Sequence, residues 1–434
     1  MTRKTPLWRL LAVAGAASLV LAACGGDDDG DAASDDDAPA EEGTGDDDAA
    51  TGFEGQLALG TLLPQTGNLA FLGPPEFAGV DLAILDINEA GGVGGNDVTV
   101  THTDSGDQST DIASQSVDRL LSEGVAAIIG AAASGVSSTV IDQITQSGVI
   151  QFSPANTSPI FTDYDDDGFY FRTAPSDALQ GRILGDLIIE DGHLEVGIMA
   201  LQDAYGEGLA RVTQETVESG GGTVSEVIIY DPQAASFTSE VSQMATANPE
   251  AIALIGFDET LTILPELATQ GIGPQDIPVY FVDGNLSNYG DELPEGFLEG
   301  NKGTLPGAPP SEEEEATFQE RLLEVDPELS DFSYAGESYD ATVIIALAAI
   351  AAQSVEPRDI ADNINDVTRN GTKCTTFAEC RDLLEQGEDI DYDGLSGPLE
   401  FSDAGEPSVA TIGIYEYGAD NTYTNIDYRE GSLE

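Results

Sequence analysis

The sequence predicts an α/β protein made of two similar lobes, each built around a parallel sheet. Three observations carry this. From residue 57 onward, short β-rich runs alternate with longer segments of helical period, the pattern of layered α/β folds. The alternation pauses after FYFRT (169–173) and restarts at VGIMAL (196–201), so the chain runs through two successive βα series. About 380 residues follow the N-terminal segments, enough for two domains with real cores.

In the first series the strand candidates are LALGTLL (57–63), DVTVTH (97–102), VAAIIG (125–130) and VIQFS (149–153). The first helix places Phe77, Val80, Ile84 and Ile87 on one face and Asp81, Asp86 and Glu89 on others. AGGVGG (90–95) follows that helix and precedes a strand, so it reads as a turn rather than a phosphate cradle. The second series continues with TVSEVIIY (223–230), AIALIGF (251–257) and PVYFVDG (278–284). GTLPGAPPSEEEE (303–315) then separates it from helices expected over 312–325 and 336–352, the acidic run favouring a helix start. ESYDATVIIALAAIAAQ (337–353) is apolar nearly all round but short for a membrane span, and reads as a core helix. The segment 394–417 reads as two strands joined by a turn at 403–405.

The N-terminus is of another kind. Arg3, Lys4 and Arg9 precede an uncharged apolar run over 10–23 that ends in small residues, which makes a secretory signal. Leu21, Ala22 and Ala23 before Cys24 resemble the bacterial lipobox, which implies that Cys24 becomes the lipidated first residue. Residues 25–54 hold almost only Gly, Asp, Glu, Ala, Ser and Thr, a composition that cannot bury apolar surface. The expected order is therefore a lipoprotein signal peptide over 1–23 and an acidic disordered tether over 24–54.

The formal charge is −66, from 80 acids against 14 lysines and arginines. Such a surface repels nucleic acid and anionic lipid, and it repels itself unless salt screens it. The only lysines are Lys4, Lys302 and Lys373, which points to an acidic surface adapted to concentrated salt. Cys374 and Cys380 in KCTTFAEC read as a short-range disulfide in an exported chain. Two thiols without a nearby histidine cannot complete a zinc shell, and His102 and His193 are expected at strand ends on the surface. Asp389, Asp391, Asp393, Gly394 and Glu400 match the spacing of a calcium loop, but chance explains the match in so acidic a chain, and no metal is expected. DYDDDG (163–168) is a poorer match. GxSxG, P-loop, HExxH and Rossmann fingerprints are all missing from the sequence, so neither an enzyme nor a cofactor is expected.

LPQTGNLAFLG, INEAGGVGG, IIGAAASG, FSPANTSPIFT, FRTAPSDALQG, DAYGEGLAR and SYDA occur in this order over nearly all of residues 55–430. Together they resemble the leucine/isoleucine/valine-binding family, the type I periplasmic solute-binding proteins of ABC importers, in lipoprotein form. The resemblance implies two Rossmann-like lobes joined by a three-stranded hinge: 55–174 plus 305–397, and 175–304 plus 398–434. It also implies an extracytoplasmic, lipid-anchored monomer that binds an amino acid between its lobes and serves ABC permease and ATPase subunits.

Carried over position by position, Ser134, the Ala155 backbone and Thr157 would meet the ligand's carboxylate. Asp177 would stand at the second lobe's edge and Tyr205 over the ligand. Asp283 with Gly284 would take the ammonium, and Tyr205, Phe257 and Tyr339 would enclose the side chain. A carboxylate can be held without lysine or arginine where hydroxyls and free N–H groups converge at strand-to-helix junctions. Helix capping is the plainer role for Ser134, Thr157 and Asp177, and packing for Tyr205. Asp283 stands where some of the family carry the longer glutamate, and Leu72 where an aromatic often lies. The alternative function is a sensory or regulatory binding module of the same fold for amides, urea or aromatic acids.

Overall fold

The computed structural model describes residue 53 and residues 55–290, 292–307 and 311–433. The signal peptide, the tether and Cys24 lie outside the described residues. The first series runs β1 (Ala58–Leu63), α1 (Gly73–Glu89), β2 (Thr99–Asp104), α2 (Ile112–Glu123), β3 (Ala127–Gly130), α3 (Ser134–Thr145), β4 (Ile150–Ser153) and β5 (Tyr170–Arg172). Its five strands form one all-parallel sheet in the order β2-β1-β3-β4-β5. AIIG and IQFS are buried along their whole length, as parallel strands covered on both faces must be.

The second series runs α4 (Asp177–Glu190), β6 (Glu195–Leu201), α5 (Ala204–Ser219), β7 (Thr223–Tyr230), α6 (Thr238–Ala247), β8 (Ala251–Ile255), α7 (Thr260–Thr269), β9 (Val279–Phe281) and β10 (Lys302–Pro306). The chain then returns to the first lobe with α8 (Glu312–Val325), α9 (Ala335–Ala352), α10 (Pro357–Ile364), β11 (Thr372–Cys374), α11 (Phe377–Glu385) and β12 (Ile390–Tyr392). It finishes as a hairpin, β13 (Val409–Tyr417) and β14 (Tyr423–Ser432). The second sheet has the order β14-β13-β10-β9-β8-β6-β7, in which β13 runs antiparallel to both its neighbours, β10 and β14, and every other pair is parallel. Three passages join the lobes: β5 to α4, β10 to α8, and β12 to β13. This is the type I periplasmic binding protein architecture, two mixed α/β lobes on a three-stranded hinge.

Helix α9 is the core helix of the first lobe. Its run from Ala341 to Ala349 is buried without interruption, which is why its sequence shows no polar face. It packs on α1 closely enough that a Cβ on Gly79 would lie 2.2 Å from the Ala335 carbonyl oxygen, so only glycine fits there.

Three local expectations are corrected. Strand β10 lies inside the stretch read as a separator. The turn at 403–405 closes only an isolated bridge between Phe401 and Pro407, and the true hairpin pairs β13 with β14. His102 sits within β2, between Thr61 and Asp81 at 2.9 and 3.0 Å, with its ring against Phe77.

Cys374 and Cys380 are disulfide-bonded, tying the end of β11 to α11. The calcium-loop acids are arranged otherwise than their spacing suggests, because Asp391 lies on an extended strand. The Lys373 ammonium stands among Asp391, Asp393 and Glu400, at 3.0, 2.9 and 2.9 Å. Lys373→Met leaves three carboxylates facing one another, so we expect the melting temperature to fall at low salt and the loss to shrink in molar salt. Equal melting temperatures for parent and variant at low salt would contradict this.

Candidate ligand-binding site between the lobes

The site is built from strand ends of both lobes, the usual location of a ligand in open α/β sheets. From the first lobe, β3 leads through Ala132 and Ala133 into α3, whose first residue is Ser134. The leading N–H groups of a helix have no partner within it, so this end offers donors and a positive dipole. The loop after β4 brings Ala155 and Thr157 alongside, and Leu69 and Leu72 supply an apolar wall. From the second lobe come Tyr205 on α5, Phe257 after β8, and Asp283 and Gly284 after β9. Twelve residues enclose a narrow cavity, and none of them is basic.

The lobes are closed on each other around it. Leu69, Leu72, Ala132 and Ala155 belong to the same buried cluster as Tyr205 and Phe257. Gln108 donates to the Gln202 carbonyl at 2.9 Å, Ser158 to the Ala204 carbonyl at 2.6 Å, and Gln233 to Asn68 at 3.2 Å. Such closure excludes water and strengthens every polar contact inside.

Asp283 is the centre of the polar network and is 6% exposed. Its Oδ1 accepts from the Tyr205 hydroxyl at 2.7 Å and from Gln180 at 2.9 Å, and its Oδ2 accepts from the Tyr334 hydroxyl at 2.8 Å. The Gly284 N–H donates to the Tyr205 oxygen at 3.2 Å. Tyr205 in turn stacks on Phe257, with ring centroids 5.5 Å apart and planes 6° from parallel.

Asp177, the first residue of α4, is fully buried. The Thr157 hydroxyl donates to its Oδ2 at 2.9 Å, while its Oδ1 has no hydrogen-bond partner among the described residues. Burial first, and the Asp283 charge second, push the Asp177 carboxyl well above the ordinary range. Burial also raises Asp283, against the pull of its donors. The Ser134 hydroxyl accepts from the Ser158 N–H at 3.3 Å, and the Ala155 N–H reaches Ser153 Oγ at 3.3 Å.

Of the residues expected at the site, Ser134, Ala155, Thr157, Tyr205, Phe257, Asp283 and Gly284 line the cavity, and Asp177 stands behind Thr157. Tyr339 does not. It lies five residues into α9, where its hydroxyl donates to Asp86 at 2.6 Å and its ring packs edge-on to Phe318. Tyr334 takes the place assigned to it, because the left-handed backbone at Tyr334 (φ 60°) turns the chain just before the helix begins. Gln180 and Arg172 are further additions. Arg172 is fully buried, bonds Glu406 through Nε at 2.7 Å, and donates to the Asn156 and Ser158 carbonyls at 3.1 and 2.9 Å. It thereby fixes the loop that carries Thr157. Both residues fall inside FRTAPSDALQG, so the motif held them even though their roles were not assigned.

Burial raises several acids here and nearby, Asp203 to about 7 and Glu337 to about 8. A carboxyl raised by folding keeps its proton in the folded state while the unfolded chain has lost it. Stability contributed this way is therefore lost as pH rises from the ordinary carboxylate range through the raised one. We expect the ligand-free melting temperature at fixed molar salt to fall between pH 5 and pH 8, and the slope to flatten in Glu337→Gln. A rising profile would contradict the burial of these acids.

A two-lobed α/β chain that closes a buried, oriented set of polar groups at its strand ends is a binding protein that encloses a small solute. Residues 56–418 match the family described as "Periplasmic binding protein", and the chain belongs to that family. It is a solute-binding protein. "Leu/Ile/Val-binding protein homolog 1" of Brucella suis is 26% identical over 380 residues, covering 85% of this chain and 93% of the relative. "Chemotactic signal transduction system substrate-binding protein BasB" of Halobacterium salinarum is 24% identical over 367 residues, covering 81% of this chain and 84% of the relative. A solute-binding protein of an ABC transporter from R. palustris, solved with benzoate, superposes with a TM-score of 0.70 at 20% identity over 88% of this chain and 98% of that one.

Proposed function

We propose that this chain is the receptor of an ABC importer, anchored outside the membrane through a lipid on Cys24, and that it closes on a branched-chain or similar amino acid. The observation that carries the reading is the buried carboxyl of Asp283 in a cavity lined by no basic residue, with a second buried carboxyl, Asp177, behind the lining residue Thr157. Arg172, whose charge acts on Asp177, is already paired with Glu406. Two such acids favour a ligand that brings its own positive charge, and the partnerless Asp177 Oδ1 is an acceptor suited to an ammonium hydrogen. The α3 N-terminus with Ser134 suits the opposite, carboxylate end. Leu69, Leu72, Tyr205 and Phe257 suit an apolar side chain. The three passages between the lobes support a division near residues 174, 304 and 397, with closure about them.

A ligand panel tests the assignment. Leucine, isoleucine or valine should raise the melting temperature in proportion to the logarithm of concentration, whereas urea and simple amides should leave it unchanged. A shift with amides alone would overturn it. For the anchor, Cys24→Ala should release the chain into the medium or leave it unprocessed, and membrane-bound protein of normal size would refute lipidation.

A sensory role is the second reading, favoured by the likeness to BasB. It would keep the ligand chemistry and exchange the permease for a signal transducer. Benzoate-like acids fit less well, because they would bring a negative charge to two buried carboxyls and no cation.

A further inference from the structure

A second cavity of about 320 Å³ opens beside the hinge, between the α8–α9 region of the first lobe and the β13–β14 hairpin of the second. Its size is that of a small-molecule site. Tyr334 lines both cavities and forms the partition between them. The walls of the second cavity are aromatic: Phe318 and Phe332 from one lobe, Tyr415 and Tyr423 from the other. Tyr415 and Tyr423 stand perpendicular, with ring centroids 5.3 Å apart and planes at 89°, so the pair presents a corner of two rings. Asp331 and Glu337 also line the cavity, and among the described residues none that lines it is basic.

Glu337 is the telling group. It is 8% exposed, and no Lys, Arg or His forms an ion pair with it among the described residues. Behind it lies Glu76, fully buried, with neither carboxyl oxygen hydrogen-bonded, and close enough that the Glu337 charge raises its pKa further. Burial itself lifts Glu337 to about 8. A buried acid facing an aromatic-walled cavity costs stability when ionised unless a cation enters. Aromatic faces attract cations, and weakly hydrated organic cations are the ones they desolvate most readily.

We propose that this cavity is a second ligand site, separate from the cleft around Asp283, and that it takes a small organic cation of the quaternary-ammonium type. The cation sits against the rings of Phe318, Phe332, Tyr415 and Tyr423, with the Glu337 carboxylate as counter-charge. Because its walls come from both lobes and from the hinge passages at Gly307 and Ser396, an occupant also bridges the lobes in the closed form.

The test titrates the full chain with choline and, separately, with 3,3-dimethyl-1-butanol, its uncharged isostere, at fixed ionic strength and pH 8, followed by calorimetry. Choline is expected to bind saturably, one per chain, about tenfold or more tighter than the isostere. Glu337→Gln and Tyr423→Leu should each weaken it by about tenfold or more, and Thr157→Val, in the first cavity, should leave it unchanged. Thermal melts of each variant check folding, and Phe332→Leu serves if Tyr423→Leu fails that check. Equal binding of the two probes, undiminished binding in both Glu337→Gln and the aromatic variant, or loss of binding in Thr157→Val would each overturn the proposal.

Discussion

Asp283→Ala is expected to weaken amino-acid binding by about 2–5 kcal/mol, the cost of leaving one end of a buried charge pair without its partner. Asp283 gathers donors from three elements: Gln180 on α4, Tyr205 on α5 and Tyr334 at the start of α9. Its removal frees two tyrosine hydroxyls inside the cavity as well as deleting the negative charge, so the loss should appear mainly as faster ligand release. Asp283→Asn separates the two effects. It keeps the shape and one acceptor oxygen while removing the charge, so an ammonium ligand should still be lost and a neutral one kept. Glu320→Ala, on the exposed face of α8, should bind as the parent does. Calorimetric titration of the three variants decides this, and parental affinity in Asp283→Ala would exclude Asp283 from the site.

Glu406→Ala is expected to cost about 3–5 kcal/mol of folding stability. Glu406 lies on the third hinge passage, and its partner Arg172 closes β5 at the first. Both are buried, and Arg172 Nη2 donates to Thr162 at 3.1 Å in addition to its contacts with Glu406, Asn156 and Ser158. Removing the carboxylate strands a guanidinium that cannot lose its proton. Arg172→Met combined with Glu406→Ala should cost less than the two single changes summed, because no charge is left unpaired. Urea unfolding of the single and double variants measures this. Ligand affinity should fall too, since the loop bearing Thr157 hangs on Arg172. Additive single-variant losses would mean that the two residues act independently.

How far the sequence could be read follows from where each residue's partner lies along the chain. The two βα series were visible because parallel strands buried on both faces are continuous apolar runs, and AIIG and AIALI show it. Ser134, Thr157, Tyr205 and Asp283 were recognisable because each sits in a compact motif at a strand end. Tyr334 was not, because its function depends on one left-handed residue, and FSYAGESY offers two tyrosines with nothing local to choose between them. Strand β10 was hidden by the glycine and proline in KGTLP, which its neighbours β9 and β13 override by pairing it on both sides. Strand β14 was missed for the opposite reason. It is an edge strand whose polar, largely exposed sequence YTNIDYREGS lacks any buried run, so only its pairing with β13 defines it. The cation cage around Lys373 and the Arg172–Glu406 pair join residues distant in sequence, and no spacing rule anticipates either.

The central claim is that two buried carboxyls hold the ammonium of an amino acid between the lobes. Calorimetric titration of leucine beside 4-methylpentanoate, the same skeleton without the amino group, tests it most directly. Saturable, one-to-one binding of leucine with no detectable binding of 4-methylpentanoate is the expected result. Binding of 4-methylpentanoate as tight as that of leucine would show that the ammonium contributes nothing, and would contradict the roles of Asp177 and Asp283 as its partners.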